Sequence, residues 1–209
     1  MSVEEARLAV TAGASALGLV GEMPSGPGVI DDALIAEIAA AVPPPVATFL
    51  LTSETRADAI VDHLHRCGTN TVQLVDRPEE GAHAAIRRAL PQVKIVQVLH
   101  VADADVVDEA RALANAVDAF LLDSGNPNLA VRELGGTGRV HDWDLSRRIV
   151  AAVHRPVFLA GGLRADNVAE AIERVRPFGV DLCSSVRSQG RLDGDKLAAF
   201  FAAIDHVPA

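Results

Sequence analysis

The chain has no tyrosine, and aromatic residues make up only 3% of its 209 residues. Proteins that bind single-stranded nucleic acid stack the bases on aromatic side chains, so this scarcity argues against such a surface. Basic residues are also few, because 19 Lys and Arg stand against 28 Asp and Glu and give a formal net charge of −9. A phosphate backbone is bound by clustered Lys and Arg. We therefore expect no nucleic-acid partner.

Cysteine is scarce too, with Cys67 and Cys183 as the only two. Two distant cysteines form neither a disulfide framework nor a CxxC metal motif, which favours a reducing cytoplasm and predicts no metal site. No apolar run approaches the roughly 18 residues that a transmembrane helix needs. The opening "MSVEEARLAV" does not have the pattern of a signal peptide. These features predict a cytoplasmic protein with no membrane partner.

What the chain has is apolar aliphatic sequence, since 49% of its residues are hydrophobic. Short apolar runs alternate with amphipathic helical segments, and a length of 209 residues fits one domain over 1–209. The interiors of the runs are continuously apolar, as in parallel strands that are covered on both faces. The predicted strands are 15–20, 45–52, 71–75, 94–101, 118–123, 156–162 and 179–185, and the predicted helices are 3–12, 31–42, 55–67, 81–90, 104–116, 143–153, 166–175 and 194–206.

This order predicts an α/β protein with seven strands and eight helices that begins with a helix. A (β/α)8 TIM-type barrel closes with eight strands, so the pattern is that of a barrel apparently missing strand 1. An open doubly wound sheet is the alternative. In a barrel the active site is built at the carboxyl ends of the strands, and polar residues follow the predicted strands at those ends. They are Glu22, Asp76, His100 and Asp123.

Small residues follow the last two predicted strands, in "LAGGLRADNV" and "DLCSSVRS". A lone Gly161-Gly162 pair is typical of a tight turn. Together with Ser184-Ser185 after the next strand, it favours a phosphate site, because small residues let backbone N–H groups approach an anion and such sites recur after strands seven and eight of these barrels. We expect the anion at Gly161, Gly162, Ser184 and Ser185.

Asp123 ends the apolar run "DAFLLD", at a position where the sequence alone leaves two interpretations open. Desolvation at a half-buried strand end raises the pKa of a carboxyl, as a general acid requires. The same carboxylate could instead cap a backbone turn. Downstream, "GGTGRVHDW" predicts Gly136 as a lining residue of the site and Asp142 as the N-cap of a helix that begins at Trp143.

Several segments resemble the phosphoribosylanthranilate isomerase family of tryptophan biosynthesis. They are "AVTAGASALGLV", "VDAFLLDS", "GGTGRVHDWDL", "PVFLAGGLRADNVAEAI" and "GVDLCSSV", and the resemblance covers roughly Ala6 to Phe201. It implies an aldose–ketose isomerase without a cofactor that acts on a small phosphorylated sugar. The implied reaction is an Amadori rearrangement, in which an acid opens the ribose ring and a base removes the C2′ proton. Asp123 is at the position of the family's general acid.

The chain also departs from the family pattern. The family's catalytic base is a cysteine in a "KICG" motif on strand one, and this sequence starts just past that motif. Gly28 stands where the family has a substrate-binding arginine, so we expect Arg139 or Arg187 to supply that cation. His100 is the expected base, because its unperturbed pKa near 6.5 suits proton abstraction at neutral pH. A solvent-facing histidine at the rim is the alternative.

Three hypotheses about function follow. The chain is an authentic isomerase whose start lies upstream, or a diverged isomerase or lyase for another sugar phosphate, or a catalytically inactive barrel that binds a phosphorylated ligand. The retained Asp123 and the two phosphate turns favour an enzyme. A missing strand would leave two unpaired strand edges, which a homodimer could cover.

Overall fold

The computed structural model describes residues 1–24, 28–125, 141–205 and 207. The chain divides into two compact units, Met1–Gln97 and Val98–Ala209, and the boundary falls inside one strand. The prediction of a single domain over 1–209 stays a prediction.

The first unit alternates helices with parallel strands. Strand β1 pairs with β2, β2 with β3, and β3 with β4, all parallel. Val20, the last residue of β1, also forms an isolated parallel bridge with Val29. The Ile30 N–H donates to the Val20 carbonyl at 3.0 Å. The elements are α1 Val3–Thr11, β1 Ala16–Val20, α2 Asp32–Ala41, β2 Ala47–Thr52, α3 Ala57–Cys67, β3 Thr71–Leu74, α4 Ala82–Ala89 and β4 Lys94–His100.

The second unit continues the alternation. Strands β5, β6 and β7 pair in that order and are parallel, whereas β8 and β9 form a separate antiparallel pair. The elements are α5 Val106–Leu113, β5 Ala119–Asp123, α6 Trp143–Ala152, β6 Val157–Leu159, α7 Val168–Val175, β7 Gly179–Val180, the 3₁₀ helix Ser184–Val186, β8 Arg187–Ser188, β9 Arg191–Leu192 and α8 Gly194–Asp205.

Across the described residues, the seven-stranded parallel sheet follows chain order from β1 to β7. Doubly wound sheets reverse their strand order at a switch point, whereas sequential order is that of (β/α) barrels. The prediction of seven parallel strands and eight helices is confirmed for the described part of the chain. All residues of β3 and of β5 are buried, as their continuous apolar character indicated. None of the helices in the described ranges is long and apolar enough to cross a membrane.

Local signals fix several helix ends. The Asp142 carboxylate accepts hydrogen bonds from the N–H groups of Asp144 and Leu145 at 2.8 and 3.3 Å, which confirms Asp142 as the N-cap of α6. Helix α3 ends at Gly68, whose φ of 65° is the left-handed conformation that glycine adopts without steric cost.

The predicted seventh strand, 179–185, is wrong beyond Val180. The Asp181 N–H still donates to the Leu159 carbonyl at 2.8 Å, as a sheet residue would. The backbone then turns, since Cys183 has φ −138° and ψ −73°. Ser184 and Ser185 therefore begin a 3₁₀ helix instead of ending a strand. The hairpin that joins β8 to β9 was not predicted.

Candidate active site

A cavity of about 170 Å³ opens in the second unit. Its walls come from the carboxyl ends of β5, β6 and β7, which is where (β/α) barrels carry their active sites. The lining residues are Asp123, Ala160, Gly161, Gly162, Leu163, Arg164, Asp181, Leu182, Cys183, Ser184 and Ser185.

Asp123 is the last residue of β5, and only 7% of its surface is exposed. Burial raises the pKa of its carboxyl, while the Ser124 N–H and the charge of His100 act in the opposite direction. The Ser124 N–H donates to Asp123 Oδ1 at 2.7 Å. Asp123 therefore accepts a hydrogen bond from the turn that follows β5 and also lines the cavity, and its role as the acid stays a prediction.

Asp181 is the second carboxylate of the cavity, and it was not singled out in the sequence. Desolvation, and then the neighbouring charge of Asp123, raise the pKa of Asp181 to about 7. The residue is exposed at the open mouth of the cavity, although most of the volume around its carboxyl is protein. Two carboxyls with raised pKa values thus share one cavity.

The turn after β6 brings the backbone close to Ser124 and His141. Gly161 and Gly162 have φ values of 82° and 64°. A Cβ atom on Gly161 would lie 3.0 Å from His141 Nδ1 and 3.1 Å from Ser124 Oγ. Glycine is therefore needed here both for its backbone conformation and for the close approach.

Ser185 presents a polar group without a partner. Its Oγ is buried and has no hydrogen-bond partner among the residues that the structure describes. A buried hydroxyl without a partner costs free energy, so the group is suited to a ligand that enters the cavity. Arg164 adds a cation to the lining, and its guanidinium donates to Asp166 at 3.0 Å and to the Gly162 carbonyl at 3.3 Å.

The other predicted site residues that the structure describes, His100 and Arg187, do not line the cavity. His100 ends β4 and is near enough for its charge to lower the pKa of Asp123, but it is not a lining residue of the described cavity. Arg187 lies on β8 and donates to the Gly190 carbonyl at 2.8 Å. Gly136 and Arg139 lie outside the described residues. The structure thus brings Asp123 and the four predicted phosphate residues together along one cavity.

His141 is a further residue that the sequence did not point to. Its Nε2 lies 2.8 Å from Ser146 Oγ, and its buried Nδ1 has no hydrogen-bond partner within the described ranges. Burial lowers its pKa to about 4, although Asp142 acts against the shift. The imidazole is therefore neutral at neutral pH and packs against Gly161.

Thiol reactivity follows from the positions of the two cysteines. Cys183 lines the cavity and is exposed there. Cys67 is buried, and burial raises its pKa to about 12. We expect a thiol reagent to modify one cysteine per folded chain, and inorganic phosphate to slow the reaction. Cys183→Ser should abolish it. Rapid modification of two thiols in the folded protein would contradict this assignment.

Parallel strands in chain order, with two carboxylates and a glycine turn at their carboxyl ends, define a (β/α)-barrel protein with a cavity at the position where such barrels carry their active sites. The family model for N-(5'phosphoribosyl)anthranilate isomerase matches residues 10–203. An isomerase from Haloferax volcanii is 41% identical over 194 residues, which cover 92% of this chain and 84% of the relative. Isomerase 2 from Methanosarcina mazei is 38% identical over 200 residues, which cover 95% and 88%. The chain belongs to the N-(5'-phosphoribosyl)anthranilate isomerase family.

A solved structure supports the same fold. A phosphoribosyl anthranilate isomerase in complex with reduced 1-(O-carboxyphenylamino)-1-deoxyribulose 5-phosphate superimposes with a TM-score of 0.77 at 25% identity. The match covers 98% of this chain and 94% of that one. The predicted (β/α)8 TIM-type fold is thus confirmed, with seven of its strands in the sheet described above.

Proposed function

We propose that this protein catalyses the Amadori rearrangement of N-(5'-phosphoribosyl)anthranilate, an intramolecular aldose–ketose isomerisation. The observation that carries the proposal is the pair of carboxyls with raised pKa values, Asp123 and Asp181, in one cavity with the glycine turn and the unpartnered Ser185 hydroxyl. The substrate is inferred from the family to which the chain belongs. The solved relative was bound to a phosphorylated deoxyribulose derivative that carries a carboxyphenylamino group, which supports the same choice.

The reaction needs one proton donated and one removed. An acid protonates the ring oxygen of the ribose, the bond from that oxygen to C1′ breaks, and the amine lone pair forms a protonated imine. A base then takes the proton from C2′, and the electron pair moves to the imine nitrogen to give an enolamine, which becomes the ketone. No cofactor is required, because the oxidation of C2′ is balanced by the reduction of C1′. We assign the acid to Asp123, as the family resemblance implies.

For the base, Asp181 and His100 are the candidates. We favour Asp181 because it lines the cavity, whereas His100 contributes its charge near Asp123. Two coupled carboxyls share protons, so the reactive form is the pair that holds one proton. Desolvation and then the charge of Asp123 raise the pKa of Asp181 and so favour the proton on Asp181, and the reaction requires its transfer to Asp123 before the ring opens. Asp181→Asn should then lose most of the activity, and His100→Ala should retain more of it. A larger loss of activity in His100→Ala than in Asp181→Asn would instead identify His100 as the base.

The phosphate of the substrate is assigned to Gly161, Gly162, Ser184 and Ser185. Backbone N–H groups at glycines and the Ser185 hydroxyl are suitable donors for an anion, and Arg164 is a nearby cation. Gly136, Arg139 and Arg187 remain proposed contacts for the rest of the substrate. At Gly28 the φ value of 87° favours glycine over arginine, which fits the absence of the family's cation at that position.

The test is turnover of N-(5'-phosphoribosyl)anthranilate by the purified protein, followed as loss of the substrate's fluorescence. We expect turnover that saturates with substrate and that inorganic phosphate inhibits competitively. No turnover of this substrate, together with conversion of another phosphorylated aldose, would support the alternative of a diverged isomerase. The family identity does not favour that alternative or an inactive barrel. A cytoplasmic location and a homodimer also remain proposals, the first supported by two free thiols.

A pH-dependent stability difference is expected for Asp181→Asn. The pKa of an Asp carboxyl is near 3.9 in an unfolded chain. The pKa of Asp181 in the folded protein is raised to about 7. Between these values the folded state binds more protons, so the stability from this group falls as the pH rises. Asn cannot ionise. The variant should therefore have a higher Tm than the wild type at pH 8 and the same Tm at pH 4.

Asp193→Asn is a control in which the change in Tm at pH 8 should have the opposite sign. Ser188 and backbone N–H groups lower the pKa of Asp193 in the folded protein. Its contribution to stability is therefore present at high pH and lost as the pH falls through the lowered value. At pH 8 this variant should have a lower Tm than the wild type. An Asp181→Asn variant that loses stability at pH 8 would contradict the raised pKa.

A further inference from the structure

Three potential metal ligands of different chemistry meet in the first unit. Asp32 lies at the start of α2, and His63 and Cys67 lie on α3. Each offers one ligand atom, and the three atoms lie within 4.8 Å of one another. We propose that Asp32, His63 and Cys67 form a binding site for a divalent transition-metal ion, with Zn²⁺ as the best match.

The ligand set fits the chemistry of that ion. Zn²⁺ takes thiolate, imidazole and carboxylate ligands at roughly 2.0–2.3 Å, and a tetrahedral site then places ligand atoms about 3.6 Å apart. The observed upper limit of 4.8 Å requires a small contraction of the cluster. A mixed sulfur, nitrogen and oxygen set favours zinc over magnesium or calcium, which prefer oxygen ligands.

His63 is held in the orientation that a metal ligand needs. Its Nδ1 lies 3.2 Å from Thr52 Oγ1, and its Nε2 faces Asp32 at 3.0 Å. The backbone of Gly21 packs on the ring, since a Cβ there would lie 2.6 Å from His63 Cε1. Metal-binding histidines commonly have their second nitrogen fixed by such a partner. Cys67 follows His63 by four residues on the same face of α3.

The charges and access also fit an ion. A divalent ion with one carboxylate and one thiolate is neutral overall, so no uncompensated charge is buried. Burial raises the pKa of Cys67 to about 12, so the ion must displace the thiol proton. The Arg66 Nε now lies 2.7 Å from Asp32 Oδ2, and Arg66 is 56% exposed and can move into solvent. The Asp32 side chain is 33% exposed, which gives water and metal a path to the cluster.

The sequence offered no metal motif because the ligands come from two helices, with Asp32 and His63 separated by 31 positions. The same three residues could instead act only as a hydrogen-bonded contact between α2 and α3. The two roles differ in a measurable way, because only a metal site requires the sulfur to bind the ion.

Cobalt titration of the metal-free, full-length protein tests the proposal. We expect one Co²⁺ per chain, with thiolate-to-cobalt absorption in the near ultraviolet and the visible bands of a tetrahedral site. Addition of Zn²⁺ should remove both. Cys67→Ser should lose the thiolate band and bind at least tenfold more weakly, whereas the matched variant Cys183→Ser should behave as the wild type does. Zn²⁺ should raise the Tm of the wild type and of Cys183→Ser.

Asp32→Asn provides an independent variant if Cys67→Ser does not fold, as judged by circular dichroism. It should keep the thiolate band and bind Co²⁺ at least tenfold more weakly. Three results would overturn the proposal: no Co²⁺ binding by the wild type, binding without a thiolate band, or equal affinity in Cys67→Ser. Because isomerase turnover is not a readout, these outcomes are independent of the proposed function.

Discussion

Asp123→Asn is expected to lower kcat/KM for N-(5'-phosphoribosyl)anthranilate by about 10²- to 10⁴-fold, the usual contribution of general acid–base catalysis. The amide keeps an oxygen that can accept from the Ser124 N–H, which donates to Oδ1 at 2.7 Å, so the turn after β5 should persist. The amide has no acidic proton to donate to the ring oxygen of the ribose. Steady-state kinetics, with circular dichroism as the check on folding, measure the effect.

Asp195→Asn is the matched control, since Asp195 is an exposed carboxylate on α8. It should leave kcat/KM unchanged, and both variants should bind inorganic phosphate as the wild type does. Wild-type turnover in Asp123→Asn would end the role of Asp123 as the acid. Loss of phosphate affinity together with turnover would instead indicate damage to the whole cavity.

Gly161→Ala should affect stability and activity together. The φ of 82° costs an alanine about 1–2 kcal/mol. The added methyl would also meet His141 Nδ1 at 3.0 Å and Ser124 Oγ at 3.1 Å, so these neighbours must move. Because Ser124 holds the Asp123 carboxylate, the shift should misplace the acid. We expect a lower Tm and a fall of about 10- to 100-fold in kcat/KM, as small misplacements in active sites produce.

Gly190→Ala separates the effect of backbone strain from the effect of steric contact. Gly190 has a φ of 78°, but within the described part of the chain no atom beyond its two chain neighbours lies within 4 Å of an added Cβ. This variant carries the backbone strain without the contact, so it should lower the Tm and leave kcat/KM unchanged. Equal kinetics for Gly161→Ala and Gly190→Ala would show that the approach of Gly161 to Ser124 and His141 has no catalytic consequence.

The sequence predicted the parts of the cavity that have local signals. Asp123 ends an apolar run, and Gly161 and Gly162 are small residues in a turn, so each can be recognised from its neighbours in the chain. The alternation of apolar runs and helices likewise predicted the strand order, because barrel strands pair in chain order. These features need no knowledge of distant contacts.

The missed residues depend on contacts between distant segments. Asp181 was placed inside a predicted strand, because "GVDLCSS" reads as one extended segment, and its raised pKa arises from the surrounding protein and from Asp123. The role of His141 depends on Gly161, which is 20 positions further along the chain. Cys67 is a core residue on α3, and nothing in the sequence around it indicates that Asp32 lies beside it in the fold.

The short length of β7 affects how the protein behaves in concentrated solution. The strand has two residues, Gly179 and Val180, and pairs with β6. An exposed strand edge recruits other chains through rows of free backbone groups, and very short strands limit that recruitment. This edge is therefore a poor template for fibril growth during storage. Self-association on this side would have to use side chains such as Phe178, which is 71% exposed, and would be expected to reverse on dilution.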